Sequence, residues 1–159
     1  MLEKINLEEK LHLLCMLWAN EASITSENGK HFLTLKNTKR EVLYSTSRPV
    51  KARGFVDEKK FMSVWIDNND AFLNEPPEIS FEYNKIHHNS DGIANSVAID
   101  LLNPMITKEN AYQFLLTFRD EIIPDGKYDN VVLFIDWIPT AYCPKPIGLF
   151  LPELDAIYK

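Results

Sequence analysis

Cysteine is scarce: Cys15 and Cys143 are the only two in 159 residues, too few for the disulfide framework of a small secreted scaffold. Cys15 lies in an apolar run, where a buried free thiol is the common outcome. Cys143 stands between Tyr142 and Pro144 in a loop, and a bridge between the two would need an oxidising compartment. Long hydrophobic runs are missing as well. No stretch reaches the roughly 18 to 20 apolar residues of a membrane-spanning helix. Basic charge is in the minority, with a net charge of −6, which argues against bulk nucleic-acid binding. What the chain does have is ordinary for one globular domain: 45% hydrophobic and 25% charged residues, with nine prolines and an aromatic share of 11% that lean toward a β-rich, loop-rich fold.

The charge is unevenly spread. Nine of the 17 lysines and arginines fall within residues 30–60 against three acids (Glu41, Asp57, Glu58), so the rest of the chain is twice as acidic as its net −6. Such a segment lines solvent-facing strand positions or offers an anionic partner a basic face. Within it, Arg48 and Arg53 frame the turn at Pro49. Arg48 suits a structural carboxylate such as Asp136, while Arg53, Lys51 and Lys39 form a candidate binding face.

Hydrophobic periodicity divides the chain as follows. Residues 6–20 fit an amphipathic helix, with Asn6 as cap and Leu7, Leu11, Leu14 and Trp18 at helical spacing. Alternation then takes over. Ala22–Ser26 and His31–Lys36 flank Asn28-Gly29, a hairpin signal because both residues accept positive φ. Leu33 and Leu35 share one face. Strand Glu41–Thr46 leads past Pro49 to an extended piece through Gly54. Asp57 then caps a short helix carrying Phe61 and Trp65 one turn apart, with Val56 and Phe61 placed as a hydrophobic staple. Asp67-Asn68-Asn69-Asp70 ends it. Those oxygens could attract calcium, but an EF-hand needs glycine where Phe72 stands. Pro76-Pro77 enforces an extended entry to Glu78–Tyr83. Strand Ser96–Leu102 stops at Asn103-Pro104. Tyr112–Phe118 fits either a strand, by alternation, or a helix, through Ala111, Leu115 and Phe118, and its aromatic content favours strand; Val131–Trp137 is apolar on both faces and so central in a sheet. Pro139, Pro144, Pro146 and Pro152 break up the tail, whose Leu149, Phe150 and Leu154 wrap the domain or dock on a partner. The expected architecture is a single domain over 1–159: an N-terminal helix over 6–20, an antiparallel β-sandwich over 22–138 with one short internal helix, and a Pro-rich apolar tail over 139–159.

Several of these pieces form a pattern: Leu33-Thr34-Leu35; Tyr44-Ser45-Thr46-Ser47-Arg48-Pro49; Gly54; Phe61 with Trp65; Pro76-Pro77; Leu102-Asn103-Pro104; and Leu133-Phe134-Ile135-Asp136. In this the chain resembles a family of small, usually exported bacterial β-rich domains whose function is uncharacterised. The resemblance spans about residues 22–138. It implies the fold and export but no activity, cofactor or site residues. The N-terminal segment does not read as a signal peptide, because Glu3, Glu8 and Glu9 precede the apolar stretch and Asn20-Glu21-Ala22 is a poor cleavage site, so the chain is cytoplasmic or leaves by another route.

Chemistry-bearing patterns are weak. His87, His88 and Asp91 are the nearest to a metal set, but adjacent histidines on an extended chain point to opposite sides. Ser45, Ser47 and Cys143 are the candidate nucleophiles, and none has a glycine-flanked elbow or a nearby histidine. The expectation is a non-enzymatic domain, without cofactor, that binds another protein through Lys39, Arg48, Lys51 and Arg53 or through Leu149, Phe150 and Leu154. The alternative is a small metal-dependent hydrolase using the His87–Asp91 loop.

Overall fold

The computed structural model describes residues 13–46, 52–74, 76–84 and 95–137. In chain order the elements are β1 (Leu13–Glu27), β2 (Lys30–Thr38), β3 (Glu41–Thr46), β4 (Ala52–Asp57), α1 (Glu58–Asp67), α2 (Asn69–Asn74), β5 (Glu78–Asn84), β6 (Asn95–Ile106), β7 (Tyr112–Phe118) and β8 (Gly126–Trp137). Every strand pairing is antiparallel.

The sheet runs β2-β7-β6-β5-β8-β1, and β1 pairs back onto β2, so six strands close into a barrel. This replaces the expected sandwich: one sheet curls until its edges meet, which removes those edges without a second layer. Closure depends on the length of β1. Its Ala19–Glu27 half pairs β2, while Leu13–Met16 overshoots the barrel wall and pairs β3 on the same side. The β3–β4 hairpin therefore extends the sheet beyond the closed ring as a flange, with Val42 buried in the core and Tyr44 and Val56 packed against it.

The expected N-terminal helix is corrected over the part that is described, since residues 13–20 are strand; residues 6–12 lie outside the described residues. Leu14 and Trp18 do stand at helical spacing, but Cys15, Leu17 and Ala19 alternate and are all buried. Two partner strands satisfy this backbone, and tertiary pairing overrides the local pattern. Strand β6 also corrects its expected stop, because it passes through Asn103-Pro104 to Ile106 with a register shift between Leu102 and Met105. The bulge takes Pro104, which lacks an N–H, out of the ladder.

Asparagine makes the bends. Among the described residues, all five non-glycine residues with positive φ are asparagines: 28, 37, 103, 110 and 130. Asn28 (φ 52°) and Gly29 (φ 78°) form the expected β1–β2 hairpin. Asn37 and Asn130 flank Asn20, which both registers of β1 skip, and the buried positions change parity there from Ala19 to Ala22 and from Tyr128 to Val131. The bend runs across three strands at one level. The left-handed region that a branched residue would resist is open to asparagine's short polar side chain.

Inside, Leu33, Phe81, Ile99, Phe114, Leu116, Val131 and Leu133 are all nearly inaccessible. Phe81, Tyr83 and Tyr128 pack as an aromatic trio with centroids 5.1–6.0 Å apart. A six-stranded barrel so filled has a packed core in place of a lumen. Helix α1 seals one end. Asp57 caps it, its Oδ1 accepting from the Lys59 and Lys60 amides, and Trp65 meets Phe114 at 5.1 Å. Glu58 is the one buried charged residue among those described; it accepts from Thr38 Oγ1 at 2.8 Å and joins α1 to the barrel rim. Burial, reinforced by the hydrogen bond and charge of Glu58, raises the Tyr112 phenol above its usual range. Helix α1 stops at Asp67 as expected, but the turn is Asn68 alone and the chain re-enters helix as α2, a second internal helix: the Asn68 side chain donates to the Val64 carbonyl, and Asn69 bonds Asn103 across to the β6 bulge.

Candidate functional site

A filled barrel leaves ends and outer walls for function. On the outer wall of β8, β1, β3 and β4 the register aligns Phe134, Met16, Leu43 and Phe55 in one cross-strand row. Val132 and Trp18 form the beginning of the next row. These side chains point away from the core because they alternate with buried partners: Leu133 and Ile135, Cys15 and Leu17, Val42. They are partly exposed, and Phe55 is 61% exposed at the outer end. On the outer wall of β5 and β6 the matching positions are Glu78, Ser80 and Glu82, then Ser96, Ala98 and Asp100, where polar groups prevail.

At the foot of the apolar row lies a shallow depression of about 400 Å³ lined by Trp18, Lys39, Arg40, Glu41 and Phe55. Lys39 Nζ sits 5.5 Å from the Trp18 ring centroid, a cation–π contact, and its amide donates to the Trp18 carbonyl at 3.0 Å. Arg40 and Arg53 are exposed, and neither has a carboxylate partner among the described residues. Aromatic faces beside unpaired cations are the composition of protein-binding surfaces.

The sequence-derived candidates divide cleanly. Lys39 and Arg53 both lie on this outer wall, at the depression and on β4. Arg48, Lys51, His87, His88, Asp91, Cys143, Leu149, Phe150 and Leu154 fall outside the described residues. Asp136 is partly buried, in register with Leu14 and Glu78. Ser45 is a partly buried strand residue opposite Arg53. Among the described residues no three His, Cys, Asp or Glu side chains gather as a metal set, and no helix is long and apolar enough to cross a membrane. Trp18, Arg40 and Phe55 were not singled out from the sequence. Trp18 was hidden by the helical reading, and only the pairing of β3 with β4 carries Phe55 to the wall.

One further constellation comes from the β1–β2 register, which sets Ser26 opposite His31. Ser26 Oγ lies 2.9 Å from His31 Nδ1 and donates to Asp125 Oδ1 at 2.8 Å. A hydroxyl has one proton, and here it goes to Asp125, so Nδ1 donates to Ser26. This is the reverse of the polarity that activates a serine. The trio clamps the hairpin tip to the start of β8. Cys15 is a buried free thiol whose pKa desolvation pushes up to about 12, which makes it a poor nucleophile. No family model matches the chain, and no curated protein or solved structure shows significant similarity to it.

Proposed function

We propose that this protein is a non-enzymatic binding domain whose partner, another protein, seats on the outer wall of β8, β1, β3 and β4. The observation that supports this is the row Phe134, Met16, Leu43 and Phe55, apolar across four strands and ending on an exposed ring beside the Trp18 depression. Solvated barrel walls carry polar residues at such positions, as β5 and β6 do here, so an apolar wall has a use beyond folding. Lys39, Arg40 and Arg53 border it, which favours a partner surface with acidic groups around an apolar centre.

The test is capture of the partner from the native cell extract by wild type and by Lys39→Glu/Arg40→Glu. The expected outcome is loss with the double variant and retention with Ile122→Ser, a control at a 69% exposed site off this wall. Retention by the charge-reversed protein overturns the reading.

A further inference from the structure

The open edge of the flange carries a self-complementary pattern. Strand β4 ends the sheet order, so among the described residues no strand pairs with its outer edge. Its backbone directions follow from the register. Glu58 donates its amide to the Arg40 carbonyl at 2.7 Å, and Val56 and Gly54 stand opposite Val42 and Tyr44 in the same register. In an antiparallel pair the backbone groups of alternate residues face alternate sides. Positions 54, 56 and 58 therefore face β3, and Arg53, Phe55 and Asp57 turn their N–H groups to the open edge, as Arg53 and Phe55 do their carbonyls. The side chains of the same three residues are exposed on the outer wall.

We infer that β4 pairs with β4 of a second copy of this chain, antiparallel, about a two-fold axis at Phe55. That axis sets Phe55 against Phe55 of the other copy. It also sets Arg53 of each chain against Asp57 of the other, an opposite-charge pair formed twice over. Few registers of a short strand satisfy themselves this way, and an isologous interface requires that they do. The Asp57 carboxylate is available for it: the cap uses Oδ1 alone, at 2.8 and 3.4 Å, and Oδ2 has no partner among the described residues. Strand β4 also lacks the lysine, proline or bulge by which sheet edges are blunted. Pairing would carry the row Phe134, Met16, Leu43 and Phe55 across the axis into its copy, doubling the apolar wall. The inference stands apart from the identity of any other partner.

Sedimentation equilibrium of the full chain tests it. Wild type is expected to dimerise, and Arg53→Asp, which sets like charges opposite each other at both ends, is expected to weaken the dimer about tenfold or more. Phe55→Cys in a Cys143→Ser background is expected to cross-link with a short bis-maleimide far faster than Ile122→Cys in the same background. Three results would each overturn the proposal: a wild-type chain that stays monomeric at millimolar concentration, a dimer indifferent to Arg53→Asp, or cross-linking no faster at 55 than at 122. Both sites are exposed, so neither variant threatens the fold.

Discussion

The closed barrel and the β3–β4 flange are built from the same kind of strand, yet they end in opposite conditions. In the barrel each strand has two neighbours, and the side chains facing inward fill the space. The flange pairs with β1 through four residue pairs at one side and, among the described residues, leaves β4 open at the other. Closure uses up hydrogen-bonding capacity; the flange retains it, together with an exposed phenylalanine and Arg53, which has no carboxylate partner among the described residues. Stability therefore resides in the barrel, and the proposed recognition falls where closure is incomplete.

The sharpest way to break this division is to damage the barrel. Phe114 is fully buried and meets Trp65, so Phe114→Ala removes a ring from the point where α1 seals the end. A loss of about 3–5 kcal/mol is expected in urea unfolding. A loss below about 1 kcal/mol would mean that the barrel is not the stabilising unit.

The next effect is smaller and depends on pH. Cys15 faces inward where β1 leaves β2 and takes up β3, and burial pushes its thiol from 9.0 to about 12. The folded state holds the neutral thiol, so this contribution is whole below pH 9 and is lost as pH rises toward 12. Each unit corresponds to roughly 1.4 kcal/mol, so the decline amounts to a few kcal/mol. Tyr112, whose phenol is also raised, declines in the same direction but alike in both proteins. Urea midpoints of wild type should therefore fall more steeply from pH 9 to 12 than those of Cys15→Ala. Parallel slopes would mean the thiol is hydrated, and with it the base of the flange.

Much of the barrel can be read from local pattern, because the physics there is local. Asn28-Gly29 needs only two positive φ angles, Asp57 needs only free amides ahead of it, and β2, β5 and β7 alternate as half-buried strands do. Residues 13–20 defeat that reading. Cys15, Leu17 and Ala19 serve the core while Leu14, Met16 and Trp18 serve the outer wall, and an apolar residue at nearly every position is as compatible with a helical stripe as with a strand. Closure is also silent in the sequence: the β1–β2 hairpin is local, but the ring is completed by the pairings of β2 with β7, β5 with β8 and β8 with β1, which join strands distant in the chain. Asn37, Asn103 and Asn130 resemble stops because asparagine is rare inside strands; here it bends them. For the site, Lys39 and Arg53 were legible as charge, but their aromatic neighbours were not. Trp18 and Phe55 belong to strands that meet Lys39 only through the register of β1 with β2 and β3 with β4.

The smallest expected effect tests whether the flange is a unit of its own. Gly54 sits on β4 facing Tyr44, and an added Cβ would fall 2.8 Å from Tyr44 Oη and 3.0 Å from Cζ. Its φ lies outside the positive region, so the penalty of Gly54→Ala is steric and not conformational. The atoms in the way are the outer end of a side chain and not backbone, which holds the loss to about 1 kcal/mol. Because Tyr44 packs only at the margin of the core, that loss should stay in the flange. Hydrogen exchange should quicken for amides of β3 and β4 and remain unchanged for β6, β7 and the Ala19–Glu27 half of β1. If the barrel amides quicken equally, the two regions open together. The open edge would then be part of one cooperative structure and no separable platform for a second chain.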